Sequence, residues 1–150
     1  MKISAIIPVK TFSNAKTRLN LGEEKKIDIS KLMLEEVLQT LKTSNHIDKI
    51  VLVSKDEEAL NISKKFDAIQ ITDNETGVNH AVALADDFLL KNGFDTSIVI
   101  PQDVPLIKTQ DIDFLMRFQS PPKFTLIVPS RRFDGTNALV RMPVDLMKTH

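Results

Sequence analysis

Short apolar runs alternate with longer segments of helical periodicity along most of the chain. The runs are rich in Ile and Val, which is typical of parallel strands covered on both faces. They predict five strands, at residues 3–9, 49–54, 68–72, 97–100 and 124–128. The segments between them predict helices at 28–42, 56–66 and 78–90 and a further helix after residue 109. Because the crossovers are long enough for a helix and too long for a hairpin, the pattern predicts one α/β domain with three layers and a mainly parallel sheet.

Capping and breaking residues predict where these elements end. Asp28 is expected to cap the first helix, so that residues 23–26 form a turn before it. Asn92 and Gly93 are expected to end the third helix, and Thr109 to cap the fourth. Pro8 cannot donate a hydrogen bond to a neighbouring strand, which predicts that pairing of the first strand stops about where the next loop begins.

Composition narrows the classes of partner. Lys plus Arg equals Asp plus Glu at 20 each, so the 150-residue chain has no net charge to attract nucleic acid or an anionic membrane. It has no cysteine and no apolar segment of signal-peptide or membrane-spanning length, and these features favour the cytoplasm. Its three histidines share no metal-ligand spacing, so a zinc site is not expected.

Candidate chemistry concentrates after the strands, where an open parallel sheet binds its ligands. The loop after the first strand contains Lys10, Lys16 and Arg18 among small polar residues, a composition that suits oxyanions. The competing interpretation is that these cations are solvated loop residues. Neither glycine-rich phosphate fingerprint is present, so side-chain cations would neutralise most of the phosphate charge.

A carboxylate follows the fourth predicted strand. Asp103 lies between Pro101 and Pro105, which restrict the local backbone. Magnesium typically takes one or two protein carboxylates and completes its shell with phosphate oxygens and water, so Asp103 is a candidate Mg²⁺ ligand. The alternative is that it caps a loop or helix. With no obvious nucleophile and base pair, direct transfer is favoured over a covalent enzyme intermediate.

Two further groups of small polar residues are ambiguous. Gly77 and Asn79 stand at the predicted start of the third helix, where they could approach a base or ribose, although Asn79 could equally serve as a cap. Gly135, Thr136 and Asn137 follow the fifth predicted strand. They could form an ordinary turn or bind the carboxylate or phosphate of a second substrate.

Four motifs together resemble one known family. PVKTFSNAKTRL, TGVNHAV, PQDVPLI and DGTNAL occur in an order and spacing similar to those of the 2-phospho-L-lactate guanylyltransferases of coenzyme F-420 biosynthesis. Coenzyme F-420 is the deazaflavin hydride carrier of methanogens and some bacteria. The resemblance implies a glycosyltransferase-A-like fold and a magnesium-dependent transfer of GMP from GTP to 2-phospho-L-lactate, with release of pyrophosphate. Some members of the family use phosphoenolpyruvate or another three-carbon phosphate.

The resemblance also implies roles for single residues. The first-loop cations would hold the GTP triphosphate, Gly77 with Asn79 would lie along the nucleoside, and Asp103 would bind magnesium. Thr136, beside Gly135 and Asn137, would contact the three-carbon acid. The expected catalytic residues are Lys10, Arg18 and Asp103.

Two features depart from the family pattern. Gln102 and Val104 flank Asp103 where the family often has a small residue and a leucine. Family members continue past the length of this chain with further acidic metal ligands, so we expect the chain to lack its C-terminal part.

Other functions stay open at this stage. A related transferase could use another nucleotide or a sugar phosphate, because the arrangement at the sheet edge does not select guanine. A nucleotide-binding or anion-binding α/β module without turnover is the alternative of a different class. The oligomeric state is also open, with a homodimer as one option.

Overall fold

Six strands form one mixed sheet in the computed structural model, which describes residues 2–11, 23–74, 77–100, 110, 112, 124–129 and 136–142. The strand order is β3-β2-β1-β4-β6-β5. β1 pairs in parallel with β2 and β4, and β2 pairs in parallel with β3. β6 runs antiparallel to both β4 and β5. The elements in chain order are β1 (Ile3–Val9), α1 (Glu23–Thr43), β2 (Lys49–Ser54), α2 (Glu57–Lys64), β3 (Ile69–Thr72), α3 (Val78–Lys91), β4 (Thr96–Val99), β5 (Phe124–Pro129) and β6 (Thr136–Met142).

The sheet is covered by helices on both faces, which confirms the predicted three layers. One apolar cluster joins α1 and α2 to one face of β1 and β2, with Leu38 and Leu52 fully buried. A second cluster joins α3 to the opposite face. Ala81 and Ala85 are buried there, and their small side chains let α3 approach β1 and β2 closely. Because both faces are covered, the central strands are apolar without alternation, as the sequence pattern indicated.

The parallel strands give the sheet two distinct edges. We call the edge where β1 to β4 begin the amino edge and the edge where they end the carboxyl edge. Since β6 is antiparallel to β4, its first residue, Thr136, lies at the carboxyl edge together with Pro129, the last residue of β5 and its partner. Of the three helices in the described ranges, none combines the length and the apolar character that crossing a bilayer requires.

The start of α1 differs from the prediction. Residues 23–26, expected as a turn, are helical, and Asp28, expected as the cap, lies inside the helix. The physical reason is propensity: Glu and Lys are good helix formers, and acidic residues in a first turn interact favourably with the helix dipole. In α2, Asp56 was predicted as part of the helix but is its N-cap, because its carboxylate accepts a hydrogen bond of 2.8 Å from the Glu58 N–H.

The sixth strand was also missed. Thr136 and Asn137 were expected in a loop or turn, yet they open β6. Polar residues at the start of an antiparallel strand resemble a loop when sequence pattern is the only guide. The fourth predicted helix is described only at Gln110 and Ile112, which are helical, while its expected cap, Thr109, lies outside the described residues.

One ion pair is fully enclosed between α3 and the sheet. Arg141 of β6 is 0% exposed, and its Nη1 and Nη2 donate to the two carboxylate oxygens of Asp86 on α3 at 3.0 and 2.5 Å. Its Nε also donates to Ser97 Oγ of β4 at 3.2 Å. Because each charged group meets several partners, the cluster satisfies a buried cation and ties three elements together.

Candidate active site

The strand order reverses between β1 and β4, and we call this position at the carboxyl edge the crevice. Successive strands extend from β1 to β2 and β3 on one side, and the chain then returns to place β4 on the other side of β1. Such a reversal of strand order is the point at which open α/β sheets bind their ligands.

Pro8 lies on the β4 side of β1, at the mouth of the crevice. The Ile6 carbonyl accepts from the Ile100 N–H at 3.0 Å, so Ile6 points its backbone groups toward β4. Pro8, two residues later, faces the same way, beyond the last β1–β4 pair, Ile6 with Val99. Its missing N–H therefore removes no hydrogen bond. The predicted stop in pairing near the end of β1 is confirmed: pairing with β4 ends at Ile6 and pairing with β2 continues to Val9, the last residue before the loop.

Lys10 is the first residue after β1, and it is exposed directly beyond the buried Val9. Its position beside the crevice follows from the register of β1. Lys16 and Arg18, the other two predicted phosphate-binding cations, lie outside the described residues.

Gly77 occupies the N-cap position of α3 and offers no side chain to cap the first turn. Its φ of 127° is one that L side chains rarely adopt, whereas a Cβ built at this position would meet nothing within 4 Å. Backbone conformation, not crowding, therefore favours glycine here. Asn79 is the second residue of the helix, so an N-cap role for it is wrong.

Asp73 directly follows β3 and was not among the predicted site residues. Its N–H donates to the Ser54 carbonyl at the end of β2, at 3.2 Å. The residue is only 7% exposed, and its Oδ1 has no hydrogen-bond partner in the described part of the chain. Asp73 follows a predicted strand directly, as Asp103 does, but only the folded chain shows that its carboxylate is buried.

The structure describes two of the three residues predicted to bind the second substrate. Thr136 and Asn137 are the first two residues of β6, and Leu139 is level with Val99, the last residue of β4. Thr136 is therefore about 10 Å past the end of β4, at roughly 3.4 Å per residue. Gly135 and the predicted metal ligand Asp103 lie outside the described residues. Among the side chains that the structure describes, no group of three His, Asp or Glu could hold a metal ion.

Comparison with solved structures identifies the class of fold. A solved structure assigned as a nucleotide-diphospho-sugar transferase, from Desulfovibrio desulfuricans, matches 97% of this chain and 67% of its own, with a TM-score of 0.76 and 15% identity. The chain therefore has the nucleotide-diphospho-sugar transferase fold.

The family follows from sequence. The family model for CofC-like guanylyl transferases matches residues 3–149, and the chain belongs to this family. It is 33% identical to the 2-phospho-L-lactate guanylyltransferase of Methanobrevibacter ruminantium, over 95% of this chain and 65% of the relative. It is 31% identical to the phosphoenolpyruvate guanylyltransferase of Sphaerobacter thermophilus, over 99% of this chain and 72% of the relative. The chain thus spans about two thirds of the length of these relatives.

Proposed function

We propose that the chain transfers GMP from GTP to the phosphate of 2-phospho-L-lactate, or of a related three-carbon phosphate such as phosphoenolpyruvate, and releases pyrophosphate in coenzyme F-420 biosynthesis. Family membership and the names of the relatives support this reaction. The structural observation that carries it is the crevice between β1 and β4, which opens beside Lys10. Because GTP is a cytoplasmic nucleotide, we infer that the reaction takes place in the cytoplasm.

The chemistry is a direct displacement at phosphorus. An oxygen of the acceptor phosphate attacks the α-phosphorus of GTP, a new P–O bond forms, and the bond to the β-phosphate oxygen breaks so that pyrophosphate leaves with the electron pair. The acceptor phosphate is already ionised at neutral pH, so no general base is needed. Two anions must approach each other, and the role of Lys10, Lys16 and Arg18 is to offset that repulsion and the charge on the leaving group.

A divalent ion fits the chemistry of this edge. Magnesium prefers oxygen ligands and typically takes only one or two protein carboxylates, with phosphate oxygens and water completing its shell. Asp103 would hold the ion. When bound, Mg²⁺ supplies further neutralisation of the triphosphate.

At the acceptor side, Gly135, Thr136 and Asn137 would bind the three-carbon acid. Antiparallel pairing brings the start of β6 to the same edge as the end of β4, which supports a second substrate beside the first. Gly77 and Asn79, at the start of α3, would lie along the nucleoside.

The test is pyrophosphate release by the full chain with GTP, Mg²⁺ and separate three-carbon phosphates. We expect release with GTP and 2-phospho-L-lactate or phosphoenolpyruvate, and much less with CTP or UTP. If the protein prefers CTP or UTP, the donor substrate is not GTP. GTP binding without release for any acceptor would instead favour a non-catalytic binding module.

Two variants test the residue roles. Asp103→Asn should abolish release, because it removes the carboxylate expected to hold the metal. Lys10→Met should raise the KM for GTP roughly 10-fold by removing one phosphate-binding cation. Lys64→Met is the matched control, because Lys64 is exposed in the last turn of α2, away from the crevice. Wild-type kinetics in Asp103→Asn would exclude it as the metal ligand.

A further inference from the structure

The proposed guanylyl transfer assigns no role to the buried carboxylate of Asp73. Asp73 is 7% exposed, whereas its neighbours Thr72 and Asn74 are exposed, so its side chain is turned into the protein. Oδ1 has no hydrogen-bond partner within the described residues. Burying a charged oxygen without a partner costs free energy, which indicates a group whose partner is a ligand.

The position of Asp73 identifies the part of the site that it faces. Ile69 and Ile71 of β3 pack in the apolar cluster under α3, and residues two apart on a strand share a face. Asp73 continues that face toward the carboxyl edge, where α3 begins with the uncapped Gly77. Asp73 and Gly77 are four positions apart in the chain, a span of at most about 14 Å.

The chemistry of the reactants limits what an unpaired carboxylate can bind. The triphosphate of GTP and the carboxylate and phosphate of the acceptor are anionic and present hydrogen-bond acceptors, so Asp73 would repel them. Among the organic groups of the two substrates, the hydrogen-bond donors are on the nucleoside: the guanine N–H groups and the ribose hydroxyls. The Asp73 carboxylate therefore favours a position of the GTP nucleoside near the start of α3. The triphosphate would then lie at the cations after β1.

We propose that Asp73 binds the nucleoside of GTP by accepting a hydrogen bond from the guanine 2-amino group or from a ribose hydroxyl. This inference rests on the proposed function, because it takes GTP as the donor substrate. It makes Asp73 a binding residue that contributes to nucleotide selection.

The experiment measures nucleotide binding without acceptor, so that turnover does not contribute, and without Mg²⁺. A parallel series with Mg²⁺ added detects a contribution from metal binding. The dissociation constants of GTP, ITP, 2′-deoxy-GTP and 3′-deoxy-GTP are compared for the wild type, Asp73→Ala and the control Asp87→Ala. ITP lacks the 2-amino group, and each deoxy analogue lacks one hydroxyl. Asp87 is an exposed carboxylate on α3, ten residues after Gly77. Circular dichroism and thermal unfolding verify that each variant is folded.

We expect Asp73→Ala to weaken GTP binding roughly 10- to 100-fold, the range for a hydrogen bond to a charged group, and Asp87→Ala to leave it unchanged. The wild type should prefer GTP to one of the analogues, and Asp73→Ala should lose that preference. Loss of the preference over ITP assigns the base, and loss of the preference over a deoxy analogue assigns the ribose. Either result supports the proposal.

Three results would overturn it. Unchanged GTP binding in Asp73→Ala removes the contact altogether. Weaker binding with every preference retained places the contact elsewhere, and weaker binding only when Mg²⁺ is added makes Asp73 a metal ligand. If the wild type itself binds no GTP, the proposed function fails and the inference fails with it, which distinguishes that case from failure of the Asp73 contact alone.

Discussion

The two edges of the sheet use aspartates in opposite ways. At the amino edge, Asp95 and Lys2 exchange hydrogen bonds, with the Lys2 N–H donating to the carboxylate at 2.9 Å and the Asp95 N–H donating to the Lys2 carbonyl at 2.9 Å. Asp48 and Ile3 form the same reciprocal pair, with both bonds at 2.8 Å. At the carboxyl edge, the Asp73 carboxylate is buried with its Oδ1 unpartnered among the described residues.

This difference distinguishes aspartates that stabilise the fold from an aspartate suited to binding a ligand. The reciprocal pairs hold the start of β1 between the turns that lead into β2 and β4, so their hydrogen bonds contribute to folding. An unpartnered buried carboxylate lowers stability unless a ligand supplies the missing donor. Proteins tolerate such a group where it serves binding. Asp48 and Asp95 are therefore structural, as is Asp56, which caps α2 at the carboxyl edge, whereas the unpartnered oxygen of Asp73 is left for a ligand to satisfy.

The largest effect on the free energy of unfolding is expected for the buried ion pair of Asp86 and Arg141, which belongs to neither edge. Arg141→Ala leaves the Asp86 carboxylate buried without its cation and should destabilise the protein by about 3–5 kcal/mol. Chemical denaturation at constant pH measures the change. The double variant Asp86→Leu with Arg141→Met replaces both charges by apolar groups and should recover most of the loss. If Arg141→Ala costs less than about 1 kcal/mol, solvent or another group compensates Asp86.

Three alanine variants compare the aspartates at the two edges by the same denaturation measurement. Asp48→Ala removes the acceptor of the Ile3 N–H and should cost about 1–2 kcal/mol, and Asp95→Ala, at the more exposed Lys2, should cost about 0.5–1 kcal/mol. Asp73→Ala removes an unsatisfied group and should cost nothing or stabilise the ligand-free protein by up to about 1 kcal/mol. A loss for Asp73→Ala as large as that for Asp48→Ala would mean that both edges use aspartate structurally.

How far the sequence alone could predict this arrangement depends on the range of the interactions. The parallel strands and the α2 helix were predictable because apolar runs and helical periodicity act locally. The reciprocal bonds of Asp48 and Asp95 were not, since each joins residues more than forty positions apart in the chain. The pairing of Asp86 with Arg141 also depends on strand order, which places β6 beside β4.

The candidate site shows the same limit. Lys10 could be placed because it directly follows a strand whose end was predicted correctly. Thr136 was assigned to the correct edge for an incomplete reason, since β6, which brings it there, was not predicted. Asp73 was passed over because its burial and its missing partner are properties of the folded chain.

The smallest effect is expected from an exposed ion pair of α1 and α2. Lys31 Nζ lies 2.5 Å from Glu58 Oε2, and Glu58 is in the first turn of α2, which begins after the carboxyl end of β2. This contact raises the pKa of Lys31 above its ordinary value of 10.5, mainly through the hydrogen bond to Glu58, while desolvation acts in the opposite direction. Since the folded pKa is higher than the unfolded one, the contribution to stability is complete below pH 10.5 and is lost as the pH rises through the folded pKa.

Glu58→Gln should therefore reduce stability slightly at neutral pH and make no difference once Lys31 is deprotonated. About 1 M salt, where the Debye length is about 3 Å, should also remove most of the difference between variant and wild type. Thermal unfolding over a pH series above 9, with Glu57→Gln as the control one residue away, measures both dependences. If the loss persists at high salt and high pH, Glu58 acts through α2 itself, for example through the helix dipole, rather than through Lys31. Glu58 would then stabilise α2 at the carboxyl edge as the Asp56 cap does, and the contrast with the amino edge would rest on Asp73 alone.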